Sequence, residues 1–538
     1  MDYVEHKLTQ FSNAVQTFFT SALYKTALLC TFVFSILANA FAYVNLYPQH
    51  DSLNHMFEFA GTWEISLGRF MLPVYGLFQG QITTPWLIGV LSILYISLIV
   101  YIICDLFDFD HTWQIAIVSA VLSANLAITE LASVYLYVLA AYCLSALFSC
   151  AGVYVLIKQK SALRYFFAVI FFTLSLGMYQ AEIAFGITLL AIVAVKDLLE
   201  SCKVSEVILK YLKIAVTLAC SAVVYYATYK LLLAGFHLEA PNTYSNISNI
   251  AKISFEELLT SVKGCYLSLF NYFWGKNGFV GIPVTQVSNS LLTLIAVLSL
   301  LVYFFKNKHS WAACSLVLLI LAVLPIVVCL VNVLMTDSQF VFHRVYSLYL
   351  VYVLLLYIIT YCTRSWVQHP AVLRTVVITC CFLITVQNVV FSNQVYSNQK
   401  IMYDRSVSIV GRILEDVESV PDYEIGGTEV ILIGELQKNT LLKNLTRIDS
   451  KLPGDIQKNQ GLRKMLNHSS LRGGKVLSVT YTMTFDSFTW LLGSELYRAP
   501  DDAVIKEYTS MEEVVNMPAY PRDGYYQMIN GRMVIKLS

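Results

Sequence analysis

The stretch NLYPQHDSLNH, Asn45 to His55, sets an acid, Asp51, between Pro48 and two histidines, His50 and His55, at the exit of the first long apolar run. A carboxylate there can take the proton of an attacking hydroxyl if it is held within reach and kept ionised. Read at about 100° per residue, DSLNHMFEFA puts Asp51, Asn54, His55 and Glu58 on one helical face and Leu53, Met56, Phe57 and Ala60 on the other. That is the pattern of a short amphipathic helix lying on a membrane surface. Asp51 would also serve as the N-cap of such a helix, and the two roles are compatible.

Cations come next. Arg69, in LGRFMLPVYGLFQG, is the only Lys or Arg between residues 46 and 85. A guanidinium offers a fork for phosphate or hydroxyl groups; the plainer reading is a snorkelling side chain or a partner for Glu58 or Glu64. His343 and Arg344, in DSQFVFHRVYS, stand at the mouth of a later apolar run. They suit a lipid-linked phosphate, or an interfacial anchor. Two further acids, Glu130 and Glu182, fall at the edges of apolar runs, where an ionisable group is a functional candidate by default. Glu182 follows Tyr179 and Gln180, so a polar cluster could line a cavity there.

Something apolar must position these residues. Of the 538 residues 57% are hydrophobic and only 13% charged, where an ordinary soluble domain carries about 25%. The fold class is therefore a polytopic α-helical membrane protein. The net charge of +1 gives no general attraction to nucleic acid. At about 20 apolar residues per span, eleven spans are expected: 23–45, 86–104, 112–130, 132–157, 163–178, 180–196, 210–235, 286–305, 311–333, 345–362 and 371–392. The fifth and sixth are separated only by GMYQAEI, 177–183, and one long tilted helix is the alternative. The start is too polar for a cleavable signal peptide.

Positive charge orients the chain. With eleven spans and the N-terminus inside, Lys7, Lys25, Lys158, Lys160, Arg164, Lys196, Lys203, Lys210, Lys213, Lys306, Lys308, Arg364 and Arg374 all fall inside. The short outer loops then carry only Arg69 and Arg344, and the acidic DLFDFDH at 105–111 is the exception among basic inner loops. The outer segments are the loops 46–85 and 236–285 and a polar tail, which divides the chain into a membrane domain, 1–392, and an extracytoplasmic α/β domain, 393–538.

In the long loop, Ser254 and Glu257 form a capping-box pattern ahead of an apolar stripe, Leu258, Val262, Tyr266, Leu269 and Phe273, read as a second interfacial helix. The tail alternates strand-like runs, TEVILIGEL and GKVLSVTYTM, with helix-like SVSIVGRILEDVESV and SMEEVVNM, the latter with a capping box at Ser510 and Glu513. Its end reads as a hairpin turning at Asn530–Gly531. Nearly all of the 12 Cys lie in or beside the apolar runs, none beyond Phe391, so no disulfide framework is indicated. There is no phosphate loop, HExxH or CxxC.

Together these residues resemble those of the bacterial Gtr type II (GtrII) glucosyltransferases, integral membrane enzymes of the GT-C class that add glucose to O-antigen. The marks are the acid at Asp51, GRF at Gly68–Phe70, GMYQAEI, the Arg344 loop and the closing MPAYPRDGYYQMINGRMVIKL, 517–537. The resemblance implies a polyprenyl-phosphate sugar donor, undecaprenyl-phosphate glucose, and a lipopolysaccharide or lipid-linked glycan acceptor. It implies single-displacement, inverting transfer on the outer face of the bacterial inner membrane, among membrane lipids, with a companion flippase and donor synthase. Asp51 would be the general base, with Glu58, Glu130 and Glu182 as further acids. Arg344, Arg69 and His343 would hold the donor phosphate, and His50, Asn54, His55, Tyr179 and Gln180 the substrates. His50 stands where a second acid is expected, so no two-carboxylate metal site is assigned and metal dependence stays open. An O-antigen polymerase or ligase is the alternative enzyme, and a lipid-linked glycan flippase the alternative without catalysis.

Overall fold

The computed structural model describes residues 16–48, 52, 55–56, 58–200, 203–241, 254–275, 283–307, 310–334, 341–364, 367, 370–434, 436, 439, 492–494, 497–498 and 501–538. Nine helices among them are long and apolar enough to cross a membrane. They include Ala22–Val44, Pro85–Leu106, Leu136–Lys158, Val204–Gly235 and Pro283–Lys306. Several begin on proline (Pro85, Pro283, Pro370), whose missing N–H and fixed φ cost nothing at a first helical position. The fifth and sixth expected spans are two helices. Leu163–Met178 is shorter, Ile183–Glu200 follows, and Tyr179 between them is extended, with φ −155° and ψ 110°.

Two breaks shape this part of the chain. The third expected span is two segments, Thr112–Ser123 and Leu126–Val134. A helix that ends in apolar surroundings exposes carbonyls and N–H groups that need new partners. Here side chains supply them. The Asn125 amide donates to Val121 O and Leu122 O at 3.0 and 2.9 Å, and its oxygen accepts from Ile128 N at 3.0 Å. Asn39 and Asn388 donate to Ser123 O and Ala124 O, Tyr346 donates to Leu122 O, and Tyr349 accepts from Leu126 N. At the second break, Ser145 donates to Ser175 O and Tyr179 O, and Ser149 to Glu182 O. One small residue per turn of Leu136–Lys158 thus stitches the open backbone of its neighbour.

Charged pairs gather the opposite ends of the same helices. Lys158 pairs with Asp105 at 2.9 Å, Lys196 with Asp108, and Lys210 with Asp197 at 2.6 Å. The acids of DLFDFDH therefore serve the lysine-bearing ends, which explains why an otherwise basic side carries them.

The second compact unit comprises residues 45–58, 133–137 and 393–538. The helix Pro370–Glu418 runs into it, so the helix-like SVSIVGRILEDVESV continues the last expected span without interruption. Four strands, β1 (Glu429–Ile433), β2 (Tyr497–Arg498), β3 (Tyr526–Ile529) and β4 (Arg532–Lys536), form a sheet in the order β2-β1-β4-β3. β1 is parallel to β2 and β4, and β3 and β4 form the antiparallel hairpin at Asn530–Gly531, both with positive φ. Alternation buries Val430, Leu432, Met533 and Ile535 against Ile409, Ile413 and Val417, and Ile431, Ile433 and Val534 against Tyr508 and Val514. The second strand-like run, 474–483, lies outside the described residues.

Two local expectations fail for physical reasons, and a third is met in part. Residues 55–56 turn and 58–60 run irregularly where a helix was expected; Phe59 and Ala60 are buried, with the Phe59 ring against Tyr75 and Gly76. Ser510 is the last residue of helix Asp502–Ser510, its hydroxyl donates back to Glu507 O, and Met511 takes the cap position of Glu512–Asn516. Phe255–Phe273 does start with the Ser254–Glu257 capping box, but it buries Cys265, Leu269, Tyr272 and Phe273 and leaves Leu258 and Tyr266 exposed.

Asn125→Leu removes three hydrogen bonds at a buried break and strands their backbone partners, a loss of about 2–4 kcal/mol. Thermal unfolding in detergent should show a clearly lower midpoint than for wild type; an unchanged midpoint would contradict the role given to this amide.

Candidate active site

The short helix Thr62–Ser66 ends in a turn that the sequence specifies closely. Gly68 N donates to Ile65 O at 2.9 Å and Arg69 N to Glu64 O at 2.8 Å. This is the pair of bonds of a Schellman cap, which needs left-handed backbone at its glycine. Gly68 has φ +79°, and a Cβ there would lie 2.3 Å from the Tyr225 hydroxyl. The carbonyls the turn leaves open each find a side chain. Tyr229 donates to Ser66 O at 2.7 Å, Gln180 to Leu67 O at 2.8 Å, and Tyr225 to Gly68 O at 3.2 Å. Gln180 also donates to the Tyr225 hydroxyl at 3.0 Å.

This turn and the second helix break interlock. Phe70 stacks on Tyr225 with centroids 5.8 Å apart, and Gly177 leaves it room, since a Cβ at Gly177 would meet the Phe70 ring at 2.6 Å. GRF and GMYQ, more than a hundred residues apart, are thus one packed unit. Arg69 emerges from it. Its guanidinium lies 5.3 Å from the centroid of the Tyr179 ring and donates to the Tyr142 hydroxyl at 3.3 Å. Tyr142 and Tyr179 stack face to face, 3.7 Å apart and 3° from parallel. Arg344 lies within electrostatic reach of the Tyr179 hydroxyl.

Arg344 closes the 3-10 turn Phe342–Arg344. The turn is pinned through Glu130, which is 1% exposed: its carboxylate accepts the His343 N–H at 2.9 Å and lies 3.3 Å from Nδ1 of the same histidine. Glu130 sits inside Leu126–Val134, the segment that the first break redirects. Among the described residues the Arg344 guanidinium has no hydrogen bond or ion pair to the protein.

Of the residues singled out in the sequence, the structure brings Arg69, Tyr179 and Gln180 together, with Arg344 within electrostatic reach of Tyr179, and pairs Glu130 with His343. Glu182 closes the 3-10 turn Gln180–Glu182 and is buried. His55 stacks on Tyr137 at 4.5 Å, with Nδ1 3.2 Å from Glu58 O, and the Glu58 side chain is exposed. Asp51, His50 and Asn54 lie outside the described residues. Among the described residues no three His, Cys, Asp or Glu side chains are grouped to hold a metal. Sequence reasoning missed Tyr142, Tyr225 and Tyr229. Each sits in a long apolar run where a tyrosine has no spacing to set it apart from core.

The family model described as Glucosyl transferase GtrII matches residues 40–360, more than half of the chain. This chain belongs to the GtrII glucosyltransferase family. The matched span holds GRF, GMYQAEI and the Arg344 turn, the parts that form the GtrII platform described above, and also Asp51. It stops before the tail, so segment 517–537 lies beyond it. No curated protein and no solved structure matches the chain.

Gly68→Ala in this GtrII protein adds backbone strain of roughly 1–2 kcal/mol and collides with the Tyr225 hydroxyl. Tyr225→Phe removes that hydroxyl, so the pair should be less destabilising than the sum of the single changes, by about 0.5–3 kcal/mol. A thermal-unfolding cycle over the four proteins reads this; strict additivity would contradict the contact.

Proposed function

We propose that this protein transfers glucose from a polyprenyl-phosphate donor to a surface glycan such as O-antigen, by a single inverting displacement on the outer face of the bacterial inner membrane. The observation that carries the reading is the Arg69 guanidinium fixed over the Tyr179 ring, with Arg344 within electrostatic reach of the same tyrosine. A lipid-linked donor keeps its phosphate at a membrane surface, and what it needs there is a fixed cation. The ends of these helices opposite the Lys158, Lys196 and Lys210 face carry the cations, which fits a site facing away from the lysine-rich side.

In the proposed reaction the acceptor hydroxyl oxygen attacks the anomeric carbon of the donor sugar. The carbon–oxygen bond to the phosphate breaks with its electron pair, giving polyprenyl phosphate, while the hydroxyl proton passes to the Asp51 carboxylate. Asp51 takes this role from the family resemblance, with His50, Asn54 and His55 as substrate contacts and Glu58 as a further acid. Arg344, with no protein anion paired to it among the described residues, answers the negative charge that grows on the leaving phosphate, a contact that strengthens toward the transition state. Arg69 is held by Tyr142 and the Tyr179 ring and orients the same phosphate, with His343 beside Arg344. The acid Glu130 acts through His343. The eleven-span arrangement with an extracytoplasmic 393–538 domain completes the proposal, the domain receiving the glycan.

Membranes containing wild type should move label from polyprenyl-phosphate [14C]glucose to acceptor glycan. Asp51→Asn should lower the rate by about 10²–10⁴-fold, the usual worth of a general base. Arg344→Gln should lower it by about 10–100-fold, with Arg344→Lys between it and wild type. Near wild-type transfer by Asp51→Asn would remove the base assignment, and absence of transfer from any polyprenyl-phosphate hexose would remove the donor class.

A further inference from the structure

Glu182 is 3% exposed, yet its carboxylate makes no hydrogen bond and no ion pair among the described residues. Its neighbours in the 3-10 turn are all engaged: Tyr179 with Tyr142, Gln180 with Leu67 O and Tyr225, and the Glu182 carbonyl itself with Ser149. Only the carboxylate is left over. A buried acid without partners is costly to the fold, and a structural acid would have been paired, as Glu130 is with His343.

The groups around Glu182 are polar and come from separate elements. It is within electrostatic reach of the Cys143 thiol, the Tyr179 hydroxyl and the Tyr346 hydroxyl. Tyr43 lies in the same neighbourhood, within such reach of Cys143 and Tyr346. Its buried hydroxyl meets no partner at hydrogen-bond geometry among the described residues, with the Asn39 amide alongside. Tyr43 closes the first long helix and Glu182 precedes Ile183–Glu200, so both stand at helix ends remote from Lys196. Glu182 thus leaves an unmet acceptor, among the described residues, in the 3-10 turn that follows Tyr179, and the Tyr43 hydroxyl lies within electrostatic reach of the same buried groups, Cys143 and Tyr346. The ligand chemistry that suits them is a neutral polyhydroxyl group joined to an anion.

We propose that Glu182 is a specificity-determining residue, accepting a hydrogen bond from a hydroxyl of the transferred sugar, with Tyr43 as a second, weaker contact to the same sugar. The assignment rests on the polyprenyl-phosphate donor reading and adds which residues read the sugar. It gives Glu182 no part in proton transfer, and separates it from Asp51. A carboxylate fixed by a helix break reads the position of a hydroxyl, because an analogue lacking that hydroxyl leaves the acid buried and unpaired.

The test uses the full chain in membranes with polyprenyl-phosphate glucose and its 2-, 3-, 4- and 6-deoxy forms as donors. Wild type should lose about 10–100-fold in kcat/KM with one of the four deoxy donors. Glu182→Gln should lose a similar factor with glucose itself, treat glucose and that deoxy donor within about threefold of each other, and keep wild-type ratios for the other three. Tyr43→Phe should give a smaller loss. Size-exclusion in detergent checks that each variant is folded; if Glu182→Gln is not, Glu182→Asp replaces it and should keep part of the discrimination. A folded variant with the wild-type pattern across all donors overturns the assignment, as does a flat pattern in wild type. A wild type that uses none of these donors overturns the parent reading and this one with it.

Discussion

Backbone freed at a helix end inside an apolar run has no water to turn to, and the architecture of this protein follows from how that demand is met. Two helices stop short, after Ser123 and after Met178. Amide and hydroxyl side chains from neighbouring helices take the loose carbonyls, chiefly Asn39, Asn125 and Asn388 at one break and Ser145 and Ser149 at the other. Each bond is worth only about 1 kcal/mol net, but leaving its partner unmet costs more. The breaks are therefore fixed in place, which is what lets them carry function.

What the breaks deliver is direction. The first redirects the segment that bears Glu130, which holds the turn that presents Arg344. The second presents Tyr179, Gln180 and Glu182, and its glycine accepts the Phe70 ring that anchors the Arg69 turn. Arg69 then sits on the stacked tyrosine pair, with Arg344 within electrostatic reach of Tyr179. Arg69 is tightly placed by a hydrogen bond and a ring face. Arg344 is placed through its backbone, its head group without a hydrogen bond or ion pair among the described residues. The pairing of one clamped with one available guanidinium suits an anion that arrives, reacts and leaves, since holding it too firmly would slow its departure.

The sequence announced some of this and hid the rest. Gly68 before an arginine and an aromatic ring, and Gly177 before YQ, were visible because glycine and polar residues stand out in apolar surroundings. That they touch was not, since nothing in either stretch reports a contact across more than a hundred residues. Tyr142, Tyr225 and Asn125 were silent for the opposite reason: one polar side chain in a twenty-residue apolar run does not disturb its period. Surface patterns misled where tertiary packing had a say. At residues 58–60 the chain is irregular where a surface helix was expected, with Phe59 buried. The capping pattern at Ser510 was spent on ending one helix and not on starting the next. The capping box at Ser254 did form, with no competing helix ahead of it among the described residues.

The central claim is that the Arg69 turn, the Tyr179 break and the Arg344 turn make one donor site. A polyprenyl-phosphate glucose carrying a photoreactive diazirine on the first isoprene unit, cross-linked in native membranes and mapped by peptide mass spectrometry, tests it most directly. The account predicts label on peptides from 62–79, 177–183 and 341–349 together, competed by unlabelled donor. Competed label confined to other parts of the chain would contradict it.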